Sequence, residues 1–242
     1  MNKFNYMGTQ NNHSLIISYP INYYKFPLAE HCQFIEIDLN ENEYVFIPAN
    51  WMHWVFTEPY NISMNYFINN INYFIKNDNF FSQNIKKKIP FKGEVQNKLN
   101  LSYKDFLSKN LDNKFVFVYS TTSHCVPVKK SGHTNISYRK NISLRDFLAS
   151  DYKKFFTYNP QNIINDTYLN KLENFIADID DKIYYESRIW INFDKNINSG
   201  LHFDSYDNIL INFVGKKKIL LAKPDDRKYM YFEDMEVIDL KY

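Results

Sequence analysis

Short runs in which hydrophobic residues dominate or alternate with polar ones occur toward both ends of the chain and predict strands. The first group lies within residues 33–67, where polar turns interrupt it, and the second lies within residues 189–222. The predicted strands are 34–38, 44–47, 54–56, 62–67, 189–193, 201–204, 209–214 and 219–222. The pattern therefore predicts a β-rich segment at each end.

The spacing of apolar residues changes in the middle of the chain. Apolar positions recur every three or four residues between 68 and 110 and again between 167 and 178, which predicts amphipathic helices. Ser143, followed three residues later by Asp146, predicts the start of another helix through a near capping box. A buried strand is predicted at 115–119, and the polar stretch 120–142 is predicted to be a loop.

Composition supports one globular domain over residues 1–242. The chain is 45% hydrophobic and 18% aromatic, which is ample for a core and favours strands over a helical bundle. No internal repeat and no Ser/Gly-rich linker divides it. We expect two β-rich halves, residues 33–67 and 186–242, joined by a helical bridging region at 68–185.

Charge and cysteine content exclude several classes. A formal net charge of +2 gives no global field of the kind that marks a nucleic-acid binder. The two cysteines form no spaced pair, so neither a disulfide framework nor a zinc knuckle is indicated. The first residues are polar, and no segment reaches the apolar length of a membrane span. We expect a cytoplasmic or nuclear protein that is neither secreted nor inserted in a membrane.

His202 and Asp204 are the first candidates for metal ligands. Residues two apart on a strand point to the same face, so both side chains can reach one ion. Two histidines and one carboxylate on one side of a metal, with open positions opposite, form the site of non-haem Fe(II) oxygenases. His53 is the best candidate for the third ligand. The competing interpretations are a polar pair without metal and, for His53, a histidine packed among Trp51, Trp54 and Phe56 with no ligand role.

The C-terminal segment resembles the first metal motif of JmjC/cupin-like oxygenases. It reads Gly200-Leu201-His202-Phe203-Asp204-Ser205-Tyr206-Asp207-Asn208 and continues to Val214-Gly215-Lys216-Lys217-Lys218-Ile219. In that family the His and the Asp bind iron, the Asn lies near the co-substrate, and a Lys pairs with the distal carboxylate of 2-oxoglutarate. The resemblance assigns that last role to Lys217. Strand alternation alone leaves the choice of lysine open, because apolar residues occur at both alternating sets of positions. Ser199 matches a position that is often a hydroxyl residue near the co-substrate.

Residues 35–67 resemble the second motif of the same family. A turn, a strand and an Ile-Pro step lead to the aromatic Trp51 and to His53 at the place of the distal histidine. Asn65 matches a family Asn on the following strand, close to the co-substrate. The remaining histidines match no motif, and we expect solvent-facing or loop positions for them: His13, His31, His124 and His133.

The two motifs occur in inverted order, because His53 precedes His202 and Asp204 in the chain. Circular permutation of a complete barrel is one explanation, since chain ends are tolerated at exposed connections. Completion of the site by a second chain in a swapped homodimer is another. The third is a split gene or broken tandem whose half-sites never meet. We favour permutation, because both halves keep the expected polar residues.

The resemblance implies the fold and the activity. The fold would be mainly β with α insertions, a double-stranded β-helix (jelly-roll or cupin) barrel flanked by helices. The activity would be that of an Fe(II)- and 2-oxoglutarate-dependent dioxygenase that hydroxylates or demethylates a protein side chain or a nucleic acid such as tRNA. The near-neutral charge favours a protein substrate. The alternative is a non-catalytic cupin-like binding or scaffold protein.

Overall fold

The computed structural model describes residues 12–16, 18–68, 80–95, 102–112, 114–120, 137–149, 157–159, 184–193 and 197–232. The strands in these ranges are β1 Ile35–Leu39, β2 Glu43–Ile47, β3 Met52–Thr57, β4 Asn61–Ile68, β5 Phe91–Glu94, β6 Lys114–Ser120, β7 Ser137–Ser143, β8 Thr157–Asn159, β9 Tyr184–Asn192, β10 Ile197–Asn198, β11 His202–Phe203, β12 Asp207–Val214 and β13 Lys217–Ala222. The α-helices are α1 Phe80–Lys87, α2 Tyr103–Asn110 and α3 Leu144–Ala149.

Two antiparallel sheets make up most of the structure. The first has the strand order β1-β13-β3-β10, with β11 also paired to β3, and the second has the order β5-β2-β12-β4-β9-β8. Strands β6 and β7 form a separate pair. This mainly antiparallel β architecture with few helices confirms the predicted cupin or jelly-roll fold class.

The central strands carry apolar residues on both faces, which explains their unbroken hydrophobic runs. One apolar cluster brings together residues of β1, β2, β12 and β13: Leu39, Val45, Ile47, Leu210, Ile219 and Leu221. The opposite face of the second sheet packs under the helices through Ile85, Phe106 and Leu144. The outer face of the first sheet is covered by residues from two other segments: Ile16, Ile21, Phe26, Ala29, Met230 and Phe232. Every residue of β12 is consequently buried.

Buried polar side chains mark the inner face of the second sheet. Asn61, Ser63 and Asn65 alternate along β4, and Asn208 and Asn212 do so along β12. Their apolar neighbours on both strands belong to the cluster under the helices. Because side chains alternate along a strand, the polar set points the other way, between the sheets. This polar interior is where the candidate site lies.

The predicted strands are confirmed, with boundaries shifted by a few residues. The start of α3 is confirmed as well: the Ser143 hydroxyl accepts a hydrogen bond from the Asp146 amide at 3.0 Å and donates one to its carboxylate at 2.7 Å. Two predictions were wrong in part. Strand β5 lies inside the stretch predicted as helical, and β7 occupies 137–142 of the predicted loop. The helix predicted at 167–178 lies outside the described residues.

In the part of the chain that the structure describes, no helix has both the length and the apolar character needed to cross a membrane.

Candidate metal centre

The three predicted metal ligands meet within one chain. Strand β11 pairs with β3 so that His202 lies directly opposite His53, which places both side chains on the same face. The two imidazole rings are 4.1 Å apart between centroids, and Nε2 of His53 lies 3.5 Å from a carboxylate oxygen of Asp204. One ligand atom from each of the three residues lies within 4.8 Å of the other two. With metal–ligand bonds of about 2 Å, one ion can be shared by all three.

Both histidines are oriented by a backbone carbonyl. Nδ1 of His53 lies 3.1 Å from the carbonyl oxygen of Trp51, and Nδ1 of His202 lies 2.9 Å from that of Gly200. An Nδ1–H that donates to a carbonyl leaves a lone pair on Nε2. This is the tautomer in which a histidine binds a metal, and the outer hydrogen bond fixes the plane of the ring.

Electrostatics keep His202 and Asp204 in their metal-binding forms. Burial lowers the pKa of His202 to about 4, and the neighbouring His53 acts in the same direction. Burial by itself would raise the pKa of Asp204. The neighbouring imidazoles of His53 and His202 favour the ionised carboxylate, which outweighs that effect and holds this pKa well below its usual value. At neutral pH His202 is therefore neutral and Asp204 is ionised, as metal binding requires.

Polar contacts join the loops that carry the ligands. The amide of Asn50, which has a φ of 66°, donates to the carbonyl oxygen of Asp204 at 2.8 Å. The carboxamide oxygen of Asn198 accepts hydrogen bonds from the Trp54 indole at 2.8 Å and from the Gly200 amide at 2.9 Å. Hydrogen bonds thus connect the segment that carries His53 to the segment that carries His202 and Asp204, next to the ligands.

One cavity contains every predicted site residue. Its walls include the three candidate ligands and the four residues assigned by resemblance to the co-substrate: Ser199, Asn65, Asn208 and Lys217. Apolar side chains complete the lining: Ile47, Val55, Phe67, Trp190 and Leu210. A pocket with apolar walls and a few converging polar groups is typical of a small-molecule site.

Two buried asparagines leave hydrogen-bonding capacity inside this cavity. The amide of Asn65 donates to the carboxamide oxygen of Asn208 at 2.9 Å. The oxygen of Asn65 and the nitrogen of Asn208 are enclosed and have no hydrogen-bond partner among the described residues. Either orientation of the two carboxamides leaves one donor and one acceptor unused. Buried polar atoms of this kind call for a ligand or an ordered water.

Of the three consecutive lysines, Lys217 is the one that lines the cavity. Its side chain is buried, and its ammonium donates to the Thr57 hydroxyl at 3.0 Å. Lys218 points to the other face of the strand, where it pairs with exposed Glu36 at 2.6 Å. A buried ammonium favours a negatively charged partner, so a carboxylate suits this position.

Ser199 lies in the cavity wall, but its hydroxyl is already engaged. It accepts a hydrogen bond from the Val55 amide at 3.0 Å and donates one to the Gly200 carbonyl at 2.9 Å. The hydroxyl can accept one further bond, but it has no second proton to donate to a carboxylate. Its role towards the co-substrate stays a prediction.

His13 was not predicted to belong to this site. Instead of facing solvent, its ring stacks on that of His202 with centroids 5.0 Å apart. Burial and the nearby His202 hold the pKa of His13 well below its usual value. No local pattern could have indicated this, because the contact depends on pairing with a segment almost 190 residues away. The exposed position of His31 is confirmed, whereas His124 and His133 lie outside the described residues.

The geometry bears on the inverted motif order. Since the two half-sites meet within a single chain, a second chain is not needed to complete the ligand set. In a broken tandem the two half-sites would not meet, so the geometry argues against that explanation as well. The arrangement is the one that permutation requires, and permutation itself stays a prediction.

The profile described as "Cupin-like domain" matches residues 82–241, which is more than half of the chain. The profile described as "JmjC domain, hydroxylase" matches residues 1–66. A protein of Acanthamoeba polyphaga mimivirus that carries the name JmjC domain-containing protein is 25% identical over 223 residues, which cover 85% of this chain. The aligned part spans 36% of that relative's length. No solved structure matches the chain significantly. On the cupin-like match, the chain belongs to the family of JmjC/cupin-like domains.

Proposed function

We propose that this chain is an Fe(II)- and 2-oxoglutarate-dependent oxygenase. The observation that carries the proposal is the convergence of His53, His202 and Asp204, whose ligand atoms lie within 4.8 Å of one another. Two imidazoles oriented through Nδ1 and one ionised carboxylate make up the donor set of the non-haem iron oxygenases. The family name "JmjC domain, hydroxylase" agrees with this chemistry.

The cavity residues fit 2-oxoglutarate. Lys217 would pair with the distal carboxylate, and the leftover N–H of the Asn65–Asn208 pair would donate a hydrogen bond to an oxygen of the bound co-substrate. When bound, iron and 2-oxoglutarate supply the oxidising chemistry, in which O₂ and 2-oxoglutarate give succinate and CO₂ while a substrate C–H bond becomes C–OH. The chain's own contribution is orientation by the Nδ1 contacts and exclusion of water by the apolar walls.

For the substrate, we infer a protein side chain in the cytoplasm or nucleus. A net charge of +2 does not provide the strong positive field that would attract a nucleic acid. A nucleic acid such as tRNA is the second candidate. A non-catalytic cupin-like binding protein is the alternative from another class, and it would keep the cavity but produce no succinate.

The decisive experiment separates metal binding from turnover. The protein is titrated with Fe(II) under anaerobic conditions, with and without 2-oxoglutarate, and succinate is then measured after O₂ is admitted. We expect one Fe(II) per chain and slow formation of succinate even without substrate. His202→Ala should abolish both, whereas His31→Ala, which changes an exposed histidine, should change neither. Succinate formation by the His202→Ala variant, or no succinate formation by the parent protein, would contradict the enzyme proposal.

The position of 2-oxoglutarate is tested by two matched lysine variants. Lys217→Met removes the buried ammonium, and Lys218→Met removes the exposed one on the other face of the same strand. A hydrogen bond to a charged group contributes about 1.5–3 kcal/mol, so the first change should raise the half-saturating 2-oxoglutarate concentration at least about tenfold. The second should change it less than about twofold. Equal effects would contradict the assignment.

A further inference from the structure

The backbone around His13 is fixed against the His-x-Asp strand. The amide of Ser14 donates to the Leu201 carbonyl at 2.9 Å, and the side-chain amide of Asn12 donates to the Phe203 carbonyl at 2.8 Å. An antiparallel bridge joins His13 to His202 itself. Residues 12–14 thus lie directly beside β11 on the side opposite β3.

Three histidines therefore form one row across neighbouring backbone segments. His53 lies opposite His202 on one side, and His13 lies opposite His202 on the other. Directly paired residues in antiparallel segments project to the same face. The ring of His202 is 4.1 Å from that of His53 and 5.0 Å from that of His13, and it is tilted by 30° from the latter. His202 is consequently held between two imidazoles.

His13 differs from the other two in its contacts. It does not belong to the group whose ligand atoms approach one another within 4.8 Å, so it is not positioned as a ligand. Its Nδ1 is enclosed and makes no hydrogen bond within the described part of the chain. His13 contacts the candidate metal centre by stacking its ring on that of His202.

We propose that His13 is a positioning residue of the metal centre, which holds the ring of His202 in the plane that directs Nε2 to the metal. The hydrogen bond from Nδ1 to the Gly200 carbonyl fixes one edge of the His202 ring, and the stacked ring restricts rotation about that edge. This inference rests on the metal site proposed above. Outer contacts that orient a ligating histidine typically change metal affinity by about 10- to 100-fold.

Two replacements of similar volume separate the flat ring from the filled space. His13→Phe keeps a planar ring against His202, whereas His13→Leu fills the position without one. Co(II) is used as the probe, because its visible absorption bands report the geometry of its ligands while the apoprotein is colourless. Affinity and spectrum are measured anaerobically for the parent, both variants and His31→Ala. Circular dichroism and the thermal midpoint confirm that each variant is folded.

We expect His13→Leu to weaken Co(II) binding at least about tenfold and to shift or broaden its visible bands. His13→Phe should stay within about twofold of the parent with the same spectrum, and His31→Ala should be indistinguishable from it. An unchanged His13→Leu variant, or a His13→Phe variant as impaired as His13→Leu, would overturn the positioning role. If the parent itself takes up neither Co(II) nor Fe(II), the proposed metal site fails instead, and the two failures are thereby distinguished.

Discussion

Cys32 is a partly buried thiol next to a carboxylate. Its sulfur lies 3.9 Å from an oxygen of Asp226, to which it donates a weak hydrogen bond. Burial, the negative charge of Asp226 and this hydrogen bond together raise the pKa of Cys32 to about 12. Because only the thiolate reacts with alkylating reagents, this cysteine should be unreactive at neutral pH.

We predict that Cys32 is alkylated by iodoacetamide at pH 8 at least about ten times more slowly than free cysteine. The rate should keep rising beyond pH 9, because the thiol stays protonated until the pH approaches its raised pKa. Measurement in a Cys125→Ser background isolates this thiol. Asp226→Asn removes the charge and should accelerate labelling, and a rate that levels off near pH 9 would contradict the raised pKa.

At the residue level, the sequence was sufficient to predict those site residues whose spacing follows the two-residue period of a strand. His202 and Asp204 could be paired because side chains two apart share a face. Lys217 could not be chosen in this way, since both faces of β13 are apolar, and its choice from the sequence depended on the family resemblance. His13 was missed because its neighbour is set by pairing of distant segments. Local patterns do not carry that information.

At the level of elements, helix α1 is fastened to the site strand β12 through the residue that follows it. The ammonium of Lys88 contacts the carboxylate of Asp207, which is fully buried at the start of β12. The other oxygen of Asp207 accepts the amide of Ala49 at 2.7 Å, within the loop that precedes His53. One carboxylate therefore joins the helix, the site strand and the distal-histidine loop.

We predict that Lys88→Ala lowers the free energy of unfolding by about 1–3 kcal/mol. The change removes the Lys88 ammonium from the buried carboxylate of Asp207. Because Lys88 is 37% exposed, the expected loss of stability is smaller than for a fully enclosed ion pair. Urea denaturation followed by circular dichroism measures the effect. Lys87→Ala, at an exposed position one residue earlier, is the control and should change stability by less than about 0.5 kcal/mol. Equal losses in both variants would show that the contact with Asp207 contributes nothing.

The elements missed from the sequence share a physical cause. Strand β5 has a composition that does not alternate, and it forms by pairing with β2, almost fifty residues earlier. Strand β7 is polar enough to indicate a loop, yet it pairs along its whole length with β6. Strand formation depends on the partner more than on the residue itself, so such strands leave little local pattern. The helix cap at Ser143, by contrast, is a local interaction and was predicted correctly.

At the scale of the whole molecule, residues 14–15 pair with residues 231–232, although these two segments lie far apart in the chain. An antiparallel bridge connects Ser14 with Phe232, and the amide of Leu15 donates to the Tyr231 carbonyl at 2.9 Å. The fold class was predictable because composition and two family-like motifs agree on it. How the halves close on each other was not, because inverted order is compatible with permutation, swapping and a broken tandem, and the strand registers that bring the half-sites together are not visible in local patterns.

Permutation makes a prediction about rearranged chains. If Tyr242 is joined directly to Met1, residues 233–242 and 1–11 become a connection between segments that already lie side by side. Closing a loop of about twenty residues costs only a few kcal/mol. A new opening between residues 68 and 80, which separate β4 from α1, then restores the order His202, Asp204, His53. We expect this chain to be folded and monomeric by size exclusion, and to bind Co(II) within about threefold of the parent.

The matched control opens the joined chain in the β12–β13 turn, between Gly215 and Lys216. Gly215 has a φ of +76°, and a Cβ there would lie 3.2 Å from the Asn61 amide nitrogen, so this turn is tightly packed. New charged ends would fall beside Lys217 and the buried Asn61–Asn212 contact, and metal binding should be lost or weakened at least about tenfold. If the chain reopened at 68–80 binds metal only as a dimer, completion by swapping replaces permutation. If it fails while the β12–β13 opening succeeds, the connection between β4 and α1 is needed for the fold, and permutation at that connection is contradicted.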